Sequence, residues 1–333
     1  MSLSNVPSQV GVLHTYGFNL TAFEITEYTG ERTENLILFI GGLGNGLLNV
    51  PYIPSLAQAA ARFQSKNKGK WNVAQVLLSS AYNGWGTSTL ERDSKQLKKA
   101  IEYFRSKNGG NRKNIVLMGH STGCQNSMHY LTNVLIRASA ADPMSSSSSS
   151  SSSSVDYNPN DTEKYEIQGA ILQASVSDQE AFRADHKNVD FDALTKEVYD
   201  EYIAQGRGKE ILPEKFRKLS FNTPITAYRF HSLVSKKGDD DYFSSYLTDD
   251  DFQQTFGKVQ TPLLVLYSGN DQFVPSHVNK EELIQRWRTI TPQEYWSNYS
   301  RIIPGGKHDL GDGSPTEAID TLVDSVTLFI NDL

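Results

Sequence analysis

The chain has 333 residues, 32 Lys plus Arg against 38 Asp plus Glu, a formal charge of −6 and one cysteine. That length suits one large domain or two modest ones with a substantial core. An acidic chain with no Lys/Arg cluster lacks the phosphate-neutralising surface that nucleic acid requires, and a single cysteine forbids an internal disulfide.

An apolar run from Leu36 to Ile40 reads as a buried strand that breaks at once into the glycine-rich loop Gly41–Gly46. Helical spacing follows from Ile53 to Phe63, then a second strand from Val73 to Leu78 and the loop Tyr82-Asn83-Gly84-Trp85-Gly86. A long helix is expected from Leu90 to Phe104, a short strand from Ile115 to Met118, and a helix from Cys124 to Arg137. Ten consecutive serines, Ser145 to Ser154, bury no apolar surface, so residues 143–160 are expected to form a disordered loop. Strand Ile167–Ala174 lies behind it. After Pro262 the alternation resumes with strand Leu263–Tyr267, helix Lys280–Trp287, strand Tyr299–Ile303 and helix Thr316–Phe329. This βαβα rhythm predicts an α/β fold with a mostly parallel central sheet and helices on both faces.

Residues 179–257 break the rhythm. They are polar and helical by pattern, most clearly from Phe191 to Ala204. They carry 11 basic and 15 acidic residues, and so much of the chain's acidity. An insertion of this size between two sheet strands reads as a helical lid on a single domain spanning 1–333. No apolar stretch approaches the ~20 residues needed to span a bilayer. Met1 to Tyr16 lacks a basic stretch followed by an apolar core, so no secretory leader is expected. The expected compartment is the cytoplasm.

Gly119-His120-Ser121-Thr122-Gly123 is the sharpest local feature. As a bare Gly-x-Ser-x-Gly pattern it arises by chance in on the order of one chain in ten of this length. Its placement between a strand and a helix is far more specific. At such an elbow the serine occupies a strained backbone position, and side chains two residues either side would collide with the neighbouring strand and helix. The bland alternative is a Gly/Ser-rich turn. A serine hydroxyl needs a base and an orienting acid to become a nucleophile, and this fold orders them Ser, acid, His. Asp271 follows strand Leu263–Tyr267 and His308 follows strand Tyr299–Ile303. Ser121, Asp271 and His308 are therefore the expected triad, with Asp178, after strand Ile167–Ala174, as the alternative acid. Asp309 reads as structural and His120 as a packing residue. Cys124 reads as a small buried helix residue, although a helix N-terminus can activate a thiol.

Acyl transfer also needs donors for the tetrahedral oxyanion. The backbone N–H of Thr122 is one, and Leu43 N–H, in the loop after strand Leu36–Ile40, is the other. Many relatives with this fold carry His-Gly where this chain has Gly41-Gly42, which leaves the support of that loop open. Gly42 and Trp85 are candidate pocket residues; for Trp85 a core-capping role is the equal alternative. No Cys/His cluster has zinc spacing, and the chemistry implies neither metal nor cofactor.

Five segments together resemble the α/β-hydrolases, and within them a fungal family that includes siderophore esterases. They are Phe39-Ile40-Gly41-Gly42-Leu43-Gly44, Tyr82 to Gly86, Gly119 to Gln125, Leu172 to Asp178, and Gly305-Gly306-Lys307-His308. Ser175 stands where the family pattern has proline, a departure outside the chemistry. The resemblance implies cleavage of ester bonds in fusarinine-type hydroxamate siderophores inside the cell, a small-molecule substrate with no nucleic-acid or membrane-spanning role. Lipase, thioesterase and acyltransferase chemistry use the same machinery, and a non-catalytic binding protein of the same fold is the rival from another class. Composition says nothing about oligomeric state.

Overall fold

A computed structural model describes residues 8–63, 69–135 and 164–333. The expected serine loop at 143–160 and the end of the helix running to Arg137 lie outside them. Among the described residues eight strands form one sheet in the order β1-β2-β4-β3-β5-β6-β7-β8. They are β1 (Gly11–Gly17), β2 (Leu20–Ile25), β3 (Asn35–Ile40), β4 (Trp71–Leu77), β5 (Asn114–His120), β6 (Gly169–Gln173), β7 (Leu263–Ser268) and β8 (Arg301–Ile303). From β4 to β8 all neighbours are parallel. The hairpin β1–β2 joins the β4 edge antiparallel, its turn carried by Asn19 at φ 56.

The parallel strands form where the sequence is continuously apolar because helices cover both faces. All six residues of β3 are buried. Leu36, Leu38 and Ile40 point into a core shared with α2 (Leu90–Arg105) and α3 (Thr122–His129). Ile37 and Phe39 point into the opposite core, built from α1 (Ile53–Ala60) and the C-terminal helix (Glu317–Asp332). Thr89 caps α2 by accepting the Arg92 N–H, and Glu91 and Asp93 in its first turn complement the helix dipole.

Between β6 and β7 run α4 (Asp178–Asp185), α5 (Phe191–Val198), α6 (Glu214–Leu219), α7 (Ala227–Val234) and α8 (Asp249–Gln253). Phe182, Phe191, Phe216, Ile225 and Phe230 from this segment make a third apolar cluster, separate from the two sheet cores. From the sheet side Trp85 enters it and Leu43 packs against it. The helix expected over Phe191–Ala204 changes to a wider π-turn at Tyr199–Ile203. Two polar ties fasten the cluster to the sheet: Arg229 donates from Nε to Trp85 O (3.0 Å), and Thr226 N–H donates to Gly86 O (2.9 Å). The same Arg229 holds Asp240 through a buried ion pair. The helix after β7 is α9 (Lys280–Ile290), and the C-terminal helix is α10. No helix among the described residues is long and apolar enough to cross a membrane.

The chain leaves β3 towards β4 on one side and then returns to β5 on the other, so β3 and β5 are neighbours whose continuations diverge. Open α/β sheets bind their ligands in the crevice at the carboxyl ends of such strands.

Candidate active site

Ser121 is the one residue between β5 and α3, at φ 55 and ψ −126. A non-glycine residue in that region stores strain that its surroundings must impose. Here its N–H donates to Gln173 O (3.0 Å) and its carbonyl accepts the Cys124 N–H (2.8 Å). The flanking glycines make the turn possible. A Cβ on Gly119 would stand 2.3 Å from Gly123 O, and one on Gly123 would stand 2.2 Å from Ile40 O. Gly123→Ala is therefore expected to push α3 off β3 and cost about 1–3 kcal/mol, the usual range for forced overpacking. A lowered urea midpoint would show it, and an unchanged midpoint would mean the elbow yields freely.

The loops after β7 and β8 are laced together: Gly269 N–H donates to Ile303 O (2.9 Å) and Asn270 N–H to Gly306 O (2.8 Å). This brings Asp271 to His308. His308 Nδ1 donates to Asp271 Oδ2 at 2.7 Å, and Asp271 Oδ1 accepts the Phe273 N–H at 2.9 Å. Both residues are buried, and the Phe273 ring packs edge-on to the imidazole with centroids 4.7 Å apart. With its proton held on Nδ1 by the carboxylate, the neutral imidazole has Nε2 free as a base.

Asp178 does not join them. It begins α4, and its carboxylate accepts from Gln125 Nε2 (2.7 Å). Burial, then the nearby Asp240, pushes its pKa from 3.8 up to about 8. Asp309 accepts the Gly311 N–H (2.9 Å) and so shapes the turn after His308. Cys124 is fully buried; burial drives its thiol up to about 12, away from the activated range.

The open question about the loop after β3 is answered by Asn45. Its Oδ1 accepts the Gly42 N–H (2.8 Å), its N–H returns to Gly42 O (3.1 Å), and its carbonyl accepts the Tyr82 N–H (3.1 Å). The Gly42 amide is thereby engaged, while Leu43 N–H has no acceptor among the described residues. Thr122 is the first residue of α3, where helix amides have no internal partner. Gly42 packs so close to the elbow that a Cβ there would be 2.6 Å from Ser121 Cβ.

Above these groups opens a cavity of about 510 Å³, lined by Ser121, His308, Leu43, Trp85, Phe182 and Phe221 among others. That volume suits a small molecule. Gly42, a candidate pocket residue, is not in its lining; it borders a separate space of about 30 Å³ with Asp93, Asn126 and Arg229. Trp85 lines the cavity and also belongs to the third cluster. Phe221, at φ 49 and 59% exposed, and Phe273, at 42%, form an aromatic rim that no sequence motif marked. No cluster of His, Cys, Asp and Glu among the described residues could hold a metal ion.

A family model described as a protein of unknown function (DUF1749) matches residues 1–331. The chain belongs to the DUF1749 family. It is similar to an esterase of Emericella nidulans, AN6793, at 34% identity over 97% of this chain and 92% of that one. It is similar also to the fusarinine C esterase sidJ of Aspergillus fumigatus, at 32% over 97% and 96%. Among solved structures, the siderophore hydrolase EstB of Aspergillus fumigatus superposes with a TM-score of 0.74 at 29% identity, covering 100% of this chain and 99% of that one. This member of the DUF1749 family has the α/β-hydrolase fold, as the five sequence segments led one to expect.

Proposed function

We propose that the protein is a serine esterase in which Ser121, His308 and Asp271 form the catalytic triad. The observation that carries the reading is the Asp271–His308 hydrogen bond of 2.7 Å beneath the cavity that Ser121 also lines. His308 Nε2 takes the Ser121 proton while Asp271 keeps the imidazole in the Nδ1–H form and stabilises the imidazolium. The alkoxide adds to the ester carbonyl, and the N–H groups of Leu43 and Thr122 hold the oxyanion. His308 then protonates the departing alcohol, leaving the acyl group on Ser121, and water activated by the same histidine releases the acid.

The substrate proposed is a hydroxamate siderophore ester, hydrolysed in the cytoplasm; likeness to a fusarinine C esterase and to a siderophore hydrolase supports it. A cavity of about 510 Å³ with an aromatic rim has room for a multi-residue small molecule. In this reading residues 179–257 form a lid on a single domain spanning the whole chain. The segment's own apolar cluster, and Phe182 and Phe221 lining the cavity beside Ser121 and His308, support that role.

A fluorophosphonate probe tests the chemistry: it should modify Ser121 in the wild type and fail with His308→Ala. An unlabelled wild type would overturn the esterase reading. A panel of short-chain acyl esters, long-chain acyl esters and a ferric fusarinine tests the substrate. Preference for the ferric fusarinine is expected, and activity confined to simple acyl esters would overturn the siderophore assignment.

A further inference from the structure

The side chain of Gln173 sits between the loops that carry Ser121 and His308, and it is fully buried where β6 ends. Its Oε1 accepts from Tyr52 Oη (3.1 Å) and from His120 Nδ1 (2.5 Å). Its Nε2 donates to Ser268 Oγ (3.1 Å) and to the main-chain oxygen of His308 (3.1 Å). A carboxamide has two donors and two acceptor sites, and all four are used. A peptide oxygen can only accept, so the bond to His308 O fixes which way round the amide stands. At the same residue, the main-chain carbonyl accepts the Ser121 N–H (3.0 Å) and the Cys124 thiol (3.2 Å).

One residue thus grips the backbone of both the serine and the histidine. The histidine needs the grip. Gly305, at φ 66, and Gly306 precede His308, and the other ties on the His308 main chain come from the side chains of Gln272 and Ser268. His120 shares the arrangement. Burial, then the neighbouring His308, lowers its pKa to about 3, so it stays neutral with its proton on Nδ1, facing Gln173 Oε1. The imidazole rings of His120 and His308 lie 5.0 Å apart, close enough for the first to set the position of the second.

We propose that Gln173 is a positioning residue of the reaction, holding His308 at its working distance from Ser121 through the bond to the His308 carbonyl. The inference rests on the serine-esterase reading. Shorter or apolar replacements cannot span to Ser268 and His308, and a displacement of about 1 Å in a reacting group is worth on the order of 100-fold in rate.

The test compares Gln173→Leu and Ser268→Ala with the wild type, using p-nitrophenyl acetate turnover, fluorophosphonate labelling rate and the downfield NMR resonance of the His308–Asp271 proton. Gln173→Leu should lower kcat and the labelling rate by on the order of 100-fold, with KM within about 2-fold, and shift or broaden the resonance. Ser268→Ala removes one arm of the network and should lower kcat several-fold in the same sense, which keeps the test decisive if Gln173→Leu fails to fold. A folded Gln173→Leu with wild-type kcat and resonance overturns the inference even if its thermal stability falls. So does an unaltered Ser268→Ala when Gln173→Leu cannot be made. A wild type that the probe does not label overturns the esterase reading instead.

Discussion

Replacing Ser121 by alanine is expected to abolish fluorophosphonate labelling and to lower ester turnover by roughly 10⁴–10⁶-fold, the range seen when a triad nucleophile is removed. No neighbouring group can take over. The thiol of Cys124 is the obvious substitute, yet it is fully buried, shares contacts with Gly119 O and Gln173 O, and is driven up to about 12 by burial. His308→Ala should cost a similar factor, because an unactivated hydroxyl is almost as inert as none. Residues that act as one unit are not additive. The double variant should therefore be no slower than the worse single one, leaving the residual rate that Leu43 and Thr122 amides and binding supply. Steady-state kinetics on the three variants, with mass spectrometry of the probe adduct, check this. A His308→Ala enzyme within 10-fold of wild type would remove His308 from the role of base.

How much of this was legible in the sequence depended on whether the signal was local. β3, β5 and β7 lie in a parallel sheet covered on both faces, so they read as unbroken apolar runs, and each announces the loop behind it. Ser121 and Asp271 could be proposed because each follows such a run, and His308 because it comes last in the fixed order, after the short strand β8. The hairpin of β1 and β2 was not legible, because polar residues interrupt its apolar pattern on the inward side. Glu24 is buried among His14 (2.9 Å), Asn72 (2.6 Å) and Arg112 (2.7 Å), and the arginine lies 88 residues away in sequence. The supports of the site were hidden for the same reason. Gln173 matters through partners from Tyr52 to His308, none of which any spacing rule links. Phe221 reaches the cavity through a left-handed turn that phenylalanine seldom adopts. The chemistry was written locally; what holds it in place was not.

Two carboxyls follow late strands, and exchanging each for its amide should separate them sharply. In Asp271→Asn the replacement offers one oxygen where the carboxylate offers two. It must then either lose the Phe273 amide or turn its NH₂ towards His308 and favour the wrong tautomer. A loss of roughly 10⁴-fold in kcat is expected. Asp178→Asn should leave kcat within about 2-fold, because Asp178 contacts Gln125 and not His308. Its signature lies in stability. Folding raises the Asp178 pKa from 3.8 to about 8, so across that window the folded chain holds a proton that the unfolded chain has released. The slope of stability with pH follows the protons bound unfolded minus those bound folded. This group therefore makes the wild type less stable as pH rises from about 4 to about 8, with no further loss above. An asparagine resembles the protonated acid at every pH and lacks that slope. Urea midpoints measured from pH 5 to pH 9 should show Asp178→Asn gaining on the wild type up to about pH 8 and then running parallel to it. If Asp178→Asn instead silences turnover while Asp271→Asn spares it, the acid of the triad has been misassigned, and the hydrogen bond between Asp271 and His308 serves only to hold two loops together.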